Sequence, residues 1–586
     1  MQVNNPILPG CYPDPSICRV GDDYYLVLST FEYLPGLPVF HSRDLANWQQ
    51  LGHVIDRPGM MDFDGIGSSG GLFAPTIRYN PANNKFYVVC TLVDRGVNEK
   101  QGKPAGNFIV AADNPAGPWS DPIWLDKPGI DPSLFFDSDG TIWLHGTRLA
   151  DPGEWFHQTE VWLQELDPET LQTKGEEYVL WNGAVRGAVW TEGPHIYKVG
   201  DWYYLLTAEG GTEFHHAISI ARSRDVTGPY EGNKCNPIFT HRNLGRSYPI
   251  MGVGHADLFP FGSASFENPL GIAPGGSASA ADGLAQNDAV EGDDPYANPI
   301  STYQETQADA AGGWYAVMLG MRLYGGYHYN LGRETFLVPV TWEDDWPVFA
   351  APLGRIPDVV EVPDAATWSI GVAPDLDSAT NAQNDGAGIK CDDLRWCALR
   401  DLPENIAQRT PDGGWKLPLR TSTLSELGTP AFLGIRQTAQ NCKVAAKLRA
   451  IDLQPGEWMG LAIRQSEKDY ATFMVTPLET DQNHYTKFEI RLTLVEKGIP
   501  KVIATKHVSY FLAEFDFGLK IEGQRYQCVL RSPDGGTIHV GEFDGRTLDT
   551  AAAGGFLGLW IGVYATTDNP ESTTVVTAGL GYLAKP

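Results

Sequence analysis

Acidic side chains recur at the starts of similar short apolar segments in the first half of the sequence. Asp14 precedes Pro-Ser-Ile, Asp131 precedes Pro-Ser-Leu and Glu192 precedes Gly-Pro-His-Ile, while similar segments begin at Ala74 and His255. Carboxylates held close together raise one another's pKa, and such perturbed groups are used in acid–base chemistry. Glycoside hydrolysis needs this arrangement, since one carboxylic acid protonates the leaving oxygen while an opposing carboxylate activates water.

An internal repeat positions these residues. The five segments begin at positions 14, 74, 131, 192 and 255, and each is followed by a polar turn and a strand rich in aromatic residues. A period of about 60 residues with several strands per unit is typical of β-propeller blades. The repeat therefore predicts a five-bladed β-propeller over residues 1–350. Equivalent positions on its innermost strands converge near the axis, so we expect the three acidic residues to meet there.

Composition agrees with an all-β protein. The 586 residues include 64 Gly, 42 Pro, 24 Tyr, 24 Phe and 17 Trp, which favours turns and aromatic strands over helices. The formal net charge is −29, which disfavours binding to nucleic acid or to an anionic membrane surface. No run of 18 apolar residues predicts a transmembrane helix.

The second half of the chain predicts another β domain. Residues 351–407 are rich in Asp, Ala and Pro and are interpreted as a connection, after which apolar and polar residues alternate through to residue 586. This alternation is typical of antiparallel strands with one solvated face, so a C-terminal β-sandwich is expected within 351–586. Residues 262–312 predict a long, disordered insertion in blade five, with a lid over the site as the alternative.

The first residues give an expectation about location. No basic segment followed by an apolar stretch follows Met1, so no signal peptide is predicted. A cytoplasmic protein is expected for the sequence as it stands. The alternative is a secreted protein whose signal has been replaced by Met1.

Five motifs, in order, resemble one known family. The sequence is similar to glycoside hydrolase family 43, and most closely to its β-xylosidases that carry a C-terminal sandwich. The motifs are Asn-Pro-Ile-Leu-Pro-Gly-Cys-Tyr-Pro-Asp-Pro-Ser at 5–16, Ser-Thr-Phe-Glu-Tyr-Leu-Pro-Gly at 29–36, Gly-Ile-Asp-Pro-Ser at 129–133, Glu-Gly-Pro-His at 192–195 and Gly-Arg-Glu-Thr-Phe at 332–336.

The resemblance implies a role for each acidic residue. Asp14 would be the general base, Glu192 the general acid, and Asp131 the group that raises the pKa of the acid and orients it. The family inverts the anomeric configuration in a single displacement, with water between the base and the sugar.

The resemblance also implies sugar-binding residues. Arg333 would reach into the sugar subsite, and structural pairing with Glu334 or with another blade is the alternative. Phe31 would stack on the sugar, with plain core packing as its alternative. Phe73 replaces a tryptophan found in many relatives, which presents a smaller ring beside the subsite.

Two further positions are implied by the resemblance. His255 matches a histidine that in some relatives binds calcium or water; a structural role with water is favoured, since imidazole is a poor calcium ligand. Calcium near His255 is the metal that the resemblance allows, and no cofactor is required. A sandwich loop closes the pocket in the family, which points to Phe556 or Trp560, with burial in the sandwich core as the alternative.

These features predict an exo-acting, inverting enzyme that releases xylose from the non-reducing ends of β-1,4-xylooligosaccharides. An α-L-arabinofuranosidase, or an enzyme with both activities, is the nearest alternative, because one hydroxyl contact can shift the preference. A carbohydrate-binding propeller without catalysis is a remote alternative. A zinc hydrolase is disfavoured because no His-x-His or His-Glu-x-x-His spacing occurs. A homo-oligomer is compatible with the sequence.

Overall fold

The computed structural model describes residues 1–262, 264–266, 312–363, 388–390, 392–482, 484–531 and 536–584. Within these ranges helices are short, and none is long and apolar enough to cross a membrane. The α-helices are Val97–Lys100, Pro403–Ile406 and Thr550–Ala553, and the 3-10 helices are Arg242–Leu244 and Gly545–Thr547. The all-β fold class is confirmed.

Five four-stranded antiparallel sheets form the blades of a propeller, and in each sheet the strands follow chain order. Blades one to three contain, in turn, Ser16–Val20, Asp23–Val27, Gly36–Ser42 and Gln49–Ile55; Gly71–Asn80, Lys85–Val93, Gly106–Ala112 and Ile123–Trp124; and Ile130–Phe136, Ile142–Leu149, Thr159–Leu166 and Thr173–Trp181. Blades four and five contain Glu192–Val199, Trp202–Glu209, Ala217–Ser223 and Glu231–Gly232; and Ile250–Gly262, Gly312–Arg322, Glu334–Glu343 and Trp346–Phe349. The five predicted blades are confirmed.

The inner strands share a backbone irregularity where the repeat segments begin. Strand pairing in blades two to five shifts register across two residues at this point, as in a β-bulge. The first of these residues, or its counterpart in blade one, has a positive φ: 54° at Asp14, 40° at Ala74, 55° at Asp131, 56° at Gly193 and 51° at His255.

This geometry corrects the repeat alignment at blade four. Gly193, and not Glu192, occupies the position equivalent to Asp14 and Asp131. Glu192 is the residue before the bulge, where it still pairs with Ala208 in the regular ladder. The repeat alignment treats the first residue of each segment as equivalent. Blade four has one extra residue before its proline, so its first residue, Glu192, lies one position before the bulge.

Two eight-stranded sheets form the C-terminal sandwich, as predicted. One contains Gln408–Arg409, Trp415–Pro418, Val575–Ala584, Asn441–Ala450, Ala513–Glu522, Arg525–Arg531 and Thr537–Asp544, with Gly388–Ile389 paired to its third strand. The other contains Ile499–Tyr510, Thr486–Glu496, Tyr470–Thr480, Glu457–Arg464, Trp560–Thr567, Ala431–Arg436, Cys397–Leu399 and Tyr33–Leu34. Buried and exposed residues alternate along Asn441–Ala450, because every second side chain enters the core.

The connection between the two β domains is partly built into their sheets. Cys397–Leu399 pairs on one side with the sandwich and on the other with Tyr33–Leu34 of the propeller. Val359–Glu361 pairs with Gln2–Asn4 at the start of the chain. The predicted connection at 351–407 therefore includes two strands whose pairing partners are distant in sequence.

The insertion of blade five joins two strands that pair directly. Gly262, at the end of one strand, lies opposite Gly312, at the start of the next. The predicted insertion therefore lies between the two paired strands of one hairpin. Residues 263 and 267–311 lie outside the described residues, so the predictions of disorder or of a lid in the 262–312 insertion are not addressed.

Candidate active site

Asp14 lies at the axial end of blade one, and two side chains donate hydrogen bonds to it. Arg333 Nη1 donates to Asp14 Oδ1 at 2.9 Å, and Ser29 Oγ donates to Asp14 Oδ2 at 2.7 Å. Ser29 Oγ in turn accepts from the backbone N–H of Ala74 at 2.7 Å, which ties blade one to blade two. Asp14 and Arg333 are both buried, so their ion pair is shielded from solvent.

Asp131 and Glu192 meet beside Asp14. The backbone N–H of Gly193 donates to Asp131 Oδ2 at 3.0 Å, which fixes Asp131 against the bulge of blade four. Burial raises the pKa of Asp131 to about 6; the charge of Asp14 adds to this, and His255 and Arg333 oppose it. Burial, followed by the charges of Asp131 and Asp14, raises the pKa of Glu192 well above its usual range.

Asp131 and Glu192 therefore differ in protonation near neutral pH. The direction of the shifts leaves Glu192 as the group that keeps its proton, with Asp131 ionised beside it. This is the division between a proton donor and charged neighbours that acid catalysis requires.

His255 packs against the bulge of blade four. A Cβ atom built on Gly193 would lie 3.0 Å from two atoms of the His255 ring, so only glycine fits here without a shift. The charge of His255 lowers the pKa of Asp131, against the effect of burial. Within the described residues, no group of three or more His, Cys, Asp or Glu side chains is arranged to hold a metal ion.

Aromatic rings form one wall of the site. Phe31 and Phe73 meet edge to face with ring centroids 5.1 Å apart, and Phe556 lies 6.1 Å from Phe31 and 5.8 Å from Phe73. The guanidinium of Arg333 lies 5.4 Å from the Phe31 ring centre and 5.2 Å from that of Phe556. The predicted residues Arg333, Phe31, Phe73 and Phe556 thus lie together.

The rings differ in what they present to the pocket. Phe31 is 1% exposed, so it supports the other two rings, whereas Phe73 and Phe556 are partly exposed. Direct contact of sugar with Phe31 remains a prediction. The choice between Phe556 and Trp560 falls on Phe556, since Trp560 is buried and stacks on Tyr33 with centroids 3.8 Å apart.

The sandwich closes the site from one side. A Cβ atom built on Gly332, next to Arg333, would lie 2.7 Å from the backbone nitrogen of Gly558, so the two domains touch backbone to backbone here. A cavity of about 220 Å³ opens beside this contact and shares Arg333 and Phe556 with the carboxylate site. The rest of its lining is Thr212, Glu213, Met251, Met321, Tyr327, Tyr329, Thr550, Ala551, Gly554 and Gly555.

Sequence reasoning missed two polar residues of the site. Ser29 binds Asp14, and Thr212 Oγ1 accepts a hydrogen bond from Arg333 Nη1 at 3.2 Å. Ser29 begins one of the family-like motifs and could have been found there, whereas no motif marks Thr212. The alternative pairing of Arg333 with Glu334 is wrong, because Arg322 donates to both oxygens of Glu334 at 2.6 and 2.7 Å. The alternative pairing of Arg333 with another blade does occur, through Asp14 of blade one.

Fold and site together define a class. A five-bladed propeller with three carboxyl groups at its axis, one of them held protonated, is arranged for acid–base hydrolysis of a neutral, hydroxyl-rich substrate. The sequence matches the family model of glycosyl hydrolases family 43 over residues 3–265, and that of the β-xylosidase C-terminal concanavalin A-like domain over residues 392–577.

Relatives that align over nearly the whole chain support the same family. A xylosidase/arabinosidase from Butyrivibrio fibrisolvens is 36% identical over 574 residues, covering 97% of this chain and 96% of the relative. A non-reducing end α-L-arabinofuranosidase from Bacteroides ovatus is 32% identical, covering 97% and 92%. Among solved structures, a xylan β-1,4-xylosidase from Bacillus halodurans aligns with a TM-score of 0.78 at 26% identity, covering 99% of this chain and all of the other. The chain belongs to glycoside hydrolase family 43.

Proposed function

We propose that the protein is an exo-acting, inverting β-xylosidase that releases xylose from the non-reducing ends of β-1,4-xylooligosaccharides. The observation that carries the proposal is the carboxyl cluster, in which burial and the charge of Asp131 keep Glu192 protonated while Asp14 binds Arg333. Relatives named as β-xylosidases, from Bacillus subtilis among others, support the choice of substrate.

The mechanism assigns one step to each carboxyl group. Asp14 accepts a proton from a water molecule, whose oxygen attacks the anomeric carbon, while Glu192 gives its proton to the departing glycosidic oxygen. The C–O bond to the leaving sugar breaks with its electrons on that oxygen, and the new C–O bond forms on the opposite face. Proton exchange with solvent then restores both groups, and the β-linked sugar is released as the α-anomer.

The neighbouring residues orient this reaction. Asp131 keeps the pKa of Glu192 high through its negative charge. Arg333 holds Asp14 in place and presents its remaining donors to sugar hydroxyls; its Nε is buried and has no hydrogen-bond partner among the residues that the structure describes. Such a donor costs free energy unless a ligand or water accepts from it.

Closure by the sandwich supports exo action. Phe556 stands across the site with its ring against Phe73 and the Arg333 guanidinium. A wall at this point leaves room for a terminal sugar and none for a polysaccharide chain passing through. No step requires a cofactor, and calcium beside His255 has no part in the proposed mechanism.

A second activity on α-L-arabinofuranosides is also favoured. The Butyrivibrio relative is named for both activities, and the Bacteroides relative for the second alone. The two terminal sugars present similar reacting geometry, and a single hydroxyl contact separates them in energy. We therefore expect measurable release of arabinose, with xylose preferred.

Proton NMR of xylobiose hydrolysis tests the proposal. Xylose released from the non-reducing end of xylobiose should first appear as the α-anomer, before mutarotation reaches equilibrium. The reducing-end xylose contributes both anomers, so inversion predicts an initial excess of the α-anomer over the equilibrium ratio, and an initial excess of the β-anomer over that ratio would refute inversion. Absence of release from xylobiose, with release from an arabinofuranoside, would instead make the protein an arabinofuranosidase.

A further inference from the structure

Two propeller side chains contact the backbone of Phe556: that of Cys11, whose Sγ lies 3.9 Å from the Phe556 carbonyl oxygen, and that of Ser69. The backbone N–H of Phe556 donates to Ser69 Oγ at 2.8 Å, across the boundary between the domains. Ser69 is buried and follows the outer strand of blade one, in the loop that leads to the inner strand of blade two. The position of an aromatic wall on one domain is thus set by a hydroxyl group on the other.

Ser69 is in turn fixed by a buried ion pair that crosses the same boundary. Its backbone N–H donates to Glu32 Oε2 at 3.1 Å, and Glu32 Oε1 accepts from Arg464 Nη1 of the sandwich at 3.1 Å. The side chains of Glu32 and Arg464 are fully buried. Arg464 also donates to the hydroxyl of Tyr33 at 3.0 Å and to that of Ser68 at 2.8 Å.

Ser69 and the loop that carries Phe556 pack closely against each other. Ser69 adopts a φ of 60°, which a residue other than glycine holds only when its surroundings impose it. A Cβ atom built on Gly555 would lie 2.5 Å from Ser69 Oγ. The hydroxyl group of Ser69 therefore packs against the backbone of Gly555, the residue directly before Phe556.

We propose that Ser69 is a positioning residue for sugar binding: held by Glu32 and Arg464, it fixes the Phe556 ring across the pocket. The inference rests on the proposed function, in which Phe556 borders the terminal sugar. Ser69 touches no sugar itself. Its loss should weaken binding of the terminal sugar while leaving the carboxyl groups, and hence the chemical step, in place.

A double-mutant cycle tests this role. KM and kcat for 4-nitrophenyl β-D-xyloside are measured in the wild type, Ser69→Ala, Phe556→Ala and the double variant. We expect Ser69→Ala to raise KM about fivefold, the effect of losing one hydrogen bond, with kcat changed less than twofold. In the Phe556→Ala background the same substitution should leave KM unchanged. Equal effects of Ser69→Ala in both backgrounds would overturn the proposal.

Ser68→Ala is the matched control, since Ser68 lies in the same loop and binds Arg464 without contacting Phe556. It should leave KM within twofold of the wild type. Backbone hydrogen exchange of a peptide spanning residues 550–558, measured without substrate, should quicken in Ser69→Ala and not in Ser68→Ala; unchanged exchange in Ser69→Ala would overturn the proposal.

Failure of the proposed function would look different. A wild type inactive on both xylosides and arabinofuranosides would refute that function, and with it the sugar-binding role of Ser69. An active wild type whose KM is unaffected by Ser69→Ala would refute only the role of Ser69.

Discussion

The carboxyl groups of Asp14, Asp131 and Glu192 differ in what surrounds them. Asp14 receives hydrogen bonds from a guanidinium and a hydroxyl group, Asp131 receives a backbone N–H, and Glu192 faces the charges of the other two. Because each charge acts on the others, protonation is a property of the cluster. These surroundings favour the proton on Glu192, whose pKa is raised by burial and by the charges of Asp131 and Asp14.

Removing the charge of Asp131 should therefore shift the pH dependence of activity. Glu192 must carry a proton to act as the acid, so kcat/KM falls as pH rises through the pKa of Glu192. Asp131→Asn removes a negative charge that raises this pKa, so the alkaline limb should move to lower pH, by about one unit. A pH profile of kcat/KM measures the shift; an alkaline limb that stays in place would contradict this coupling.

Substrates with different leaving groups separate the acid from the base. Glu192→Ala should abolish turnover of xylobiose while sparing part of the activity on 2,4-dinitrophenyl β-D-xyloside, whose leaving group needs no protonation. Asp14→Ala should abolish both activities, since water activation is needed in each case. Steady-state rates of both variants on both substrates decide the roles, and equal losses on both substrates in Glu192→Ala would remove Glu192 as the acid.

At the scale of the element, the bulged inner strand brings these side chains to the axis. A regular strand directs neighbouring residues to opposite faces, whereas the bulge turns the chain through a positive φ at each repeat. Blade four uses this position for Gly193, whose N–H binds Asp131, and supplies Glu192 from the preceding residue. One motif therefore delivers two kinds of group: a side chain in blades one and three, and a backbone donor in blade four.

Substitution of this glycine should cost more than its backbone conformation alone explains. Gly193→Ala places a Cβ atom 3.0 Å from the His255 ring at a φ of 56°. Gly200→Ala is the matched control, with a φ of 58° and nothing within 4 Å of the added atom. Both should lower the free energy of unfolding by about 1 kcal/mol through backbone strain, and Gly193→Ala by about a further 1–2 kcal/mol through overpacking. Urea unfolding measures the difference. Equal losses of unfolding free energy in the two variants would show that the His255 ring moves aside without cost.

At the scale of the whole molecule, the two domains share a β-sheet and a buried ion pair in addition to their contact surface. Tyr33–Leu34 of the propeller extends a sandwich sheet through Cys397–Leu399, and the Glu32–Arg464 pair is buried between the domains. Arg436 of the sandwich lies over the rings of Tyr12 and Trp560, at 4.4 and 4.5 Å. The domain that completes the pocket is thereby part of the same packed unit as the catalytic propeller.

Breaking the buried ion pair should destabilise the whole chain. Arg464→Met leaves Glu32 buried without its cation, a loss of about 3–5 kcal/mol. Arg525→Met, which breaks an exposed pair with Glu542, is the control and should change stability little. Calorimetry should show one transition in the wild type, moved to lower temperature in Arg464→Met. Two separate transitions in the wild type would contradict a single packed unit.

The sequence alone predicted the parts that depend on local pattern. The repeat near 60 residues predicted five blades, alternation predicted the sandwich, and the motifs around Asp14, Asp131, Glu192 and Arg333 predicted the residues that meet. Pairings between distant segments could not be predicted, because a two- or three-residue strand such as Tyr33–Leu34 has too little pattern to reveal its partner. Thr212 was missed for the same reason: its hydroxyl matters only because folding brings it to Arg333.

The residue types and their periodicity determined that this chain forms a propeller with acidic groups at its axis, since burial patterns and turns are local properties. The tertiary structure decided which group holds the proton, because the pKa of Glu192 depends on burial and on charges from other blades. It also decided that Phe556 rather than Trp560 faces the pocket. Both outcomes arise from contacts between residues far apart in sequence, whose distances are set only when the domains pack.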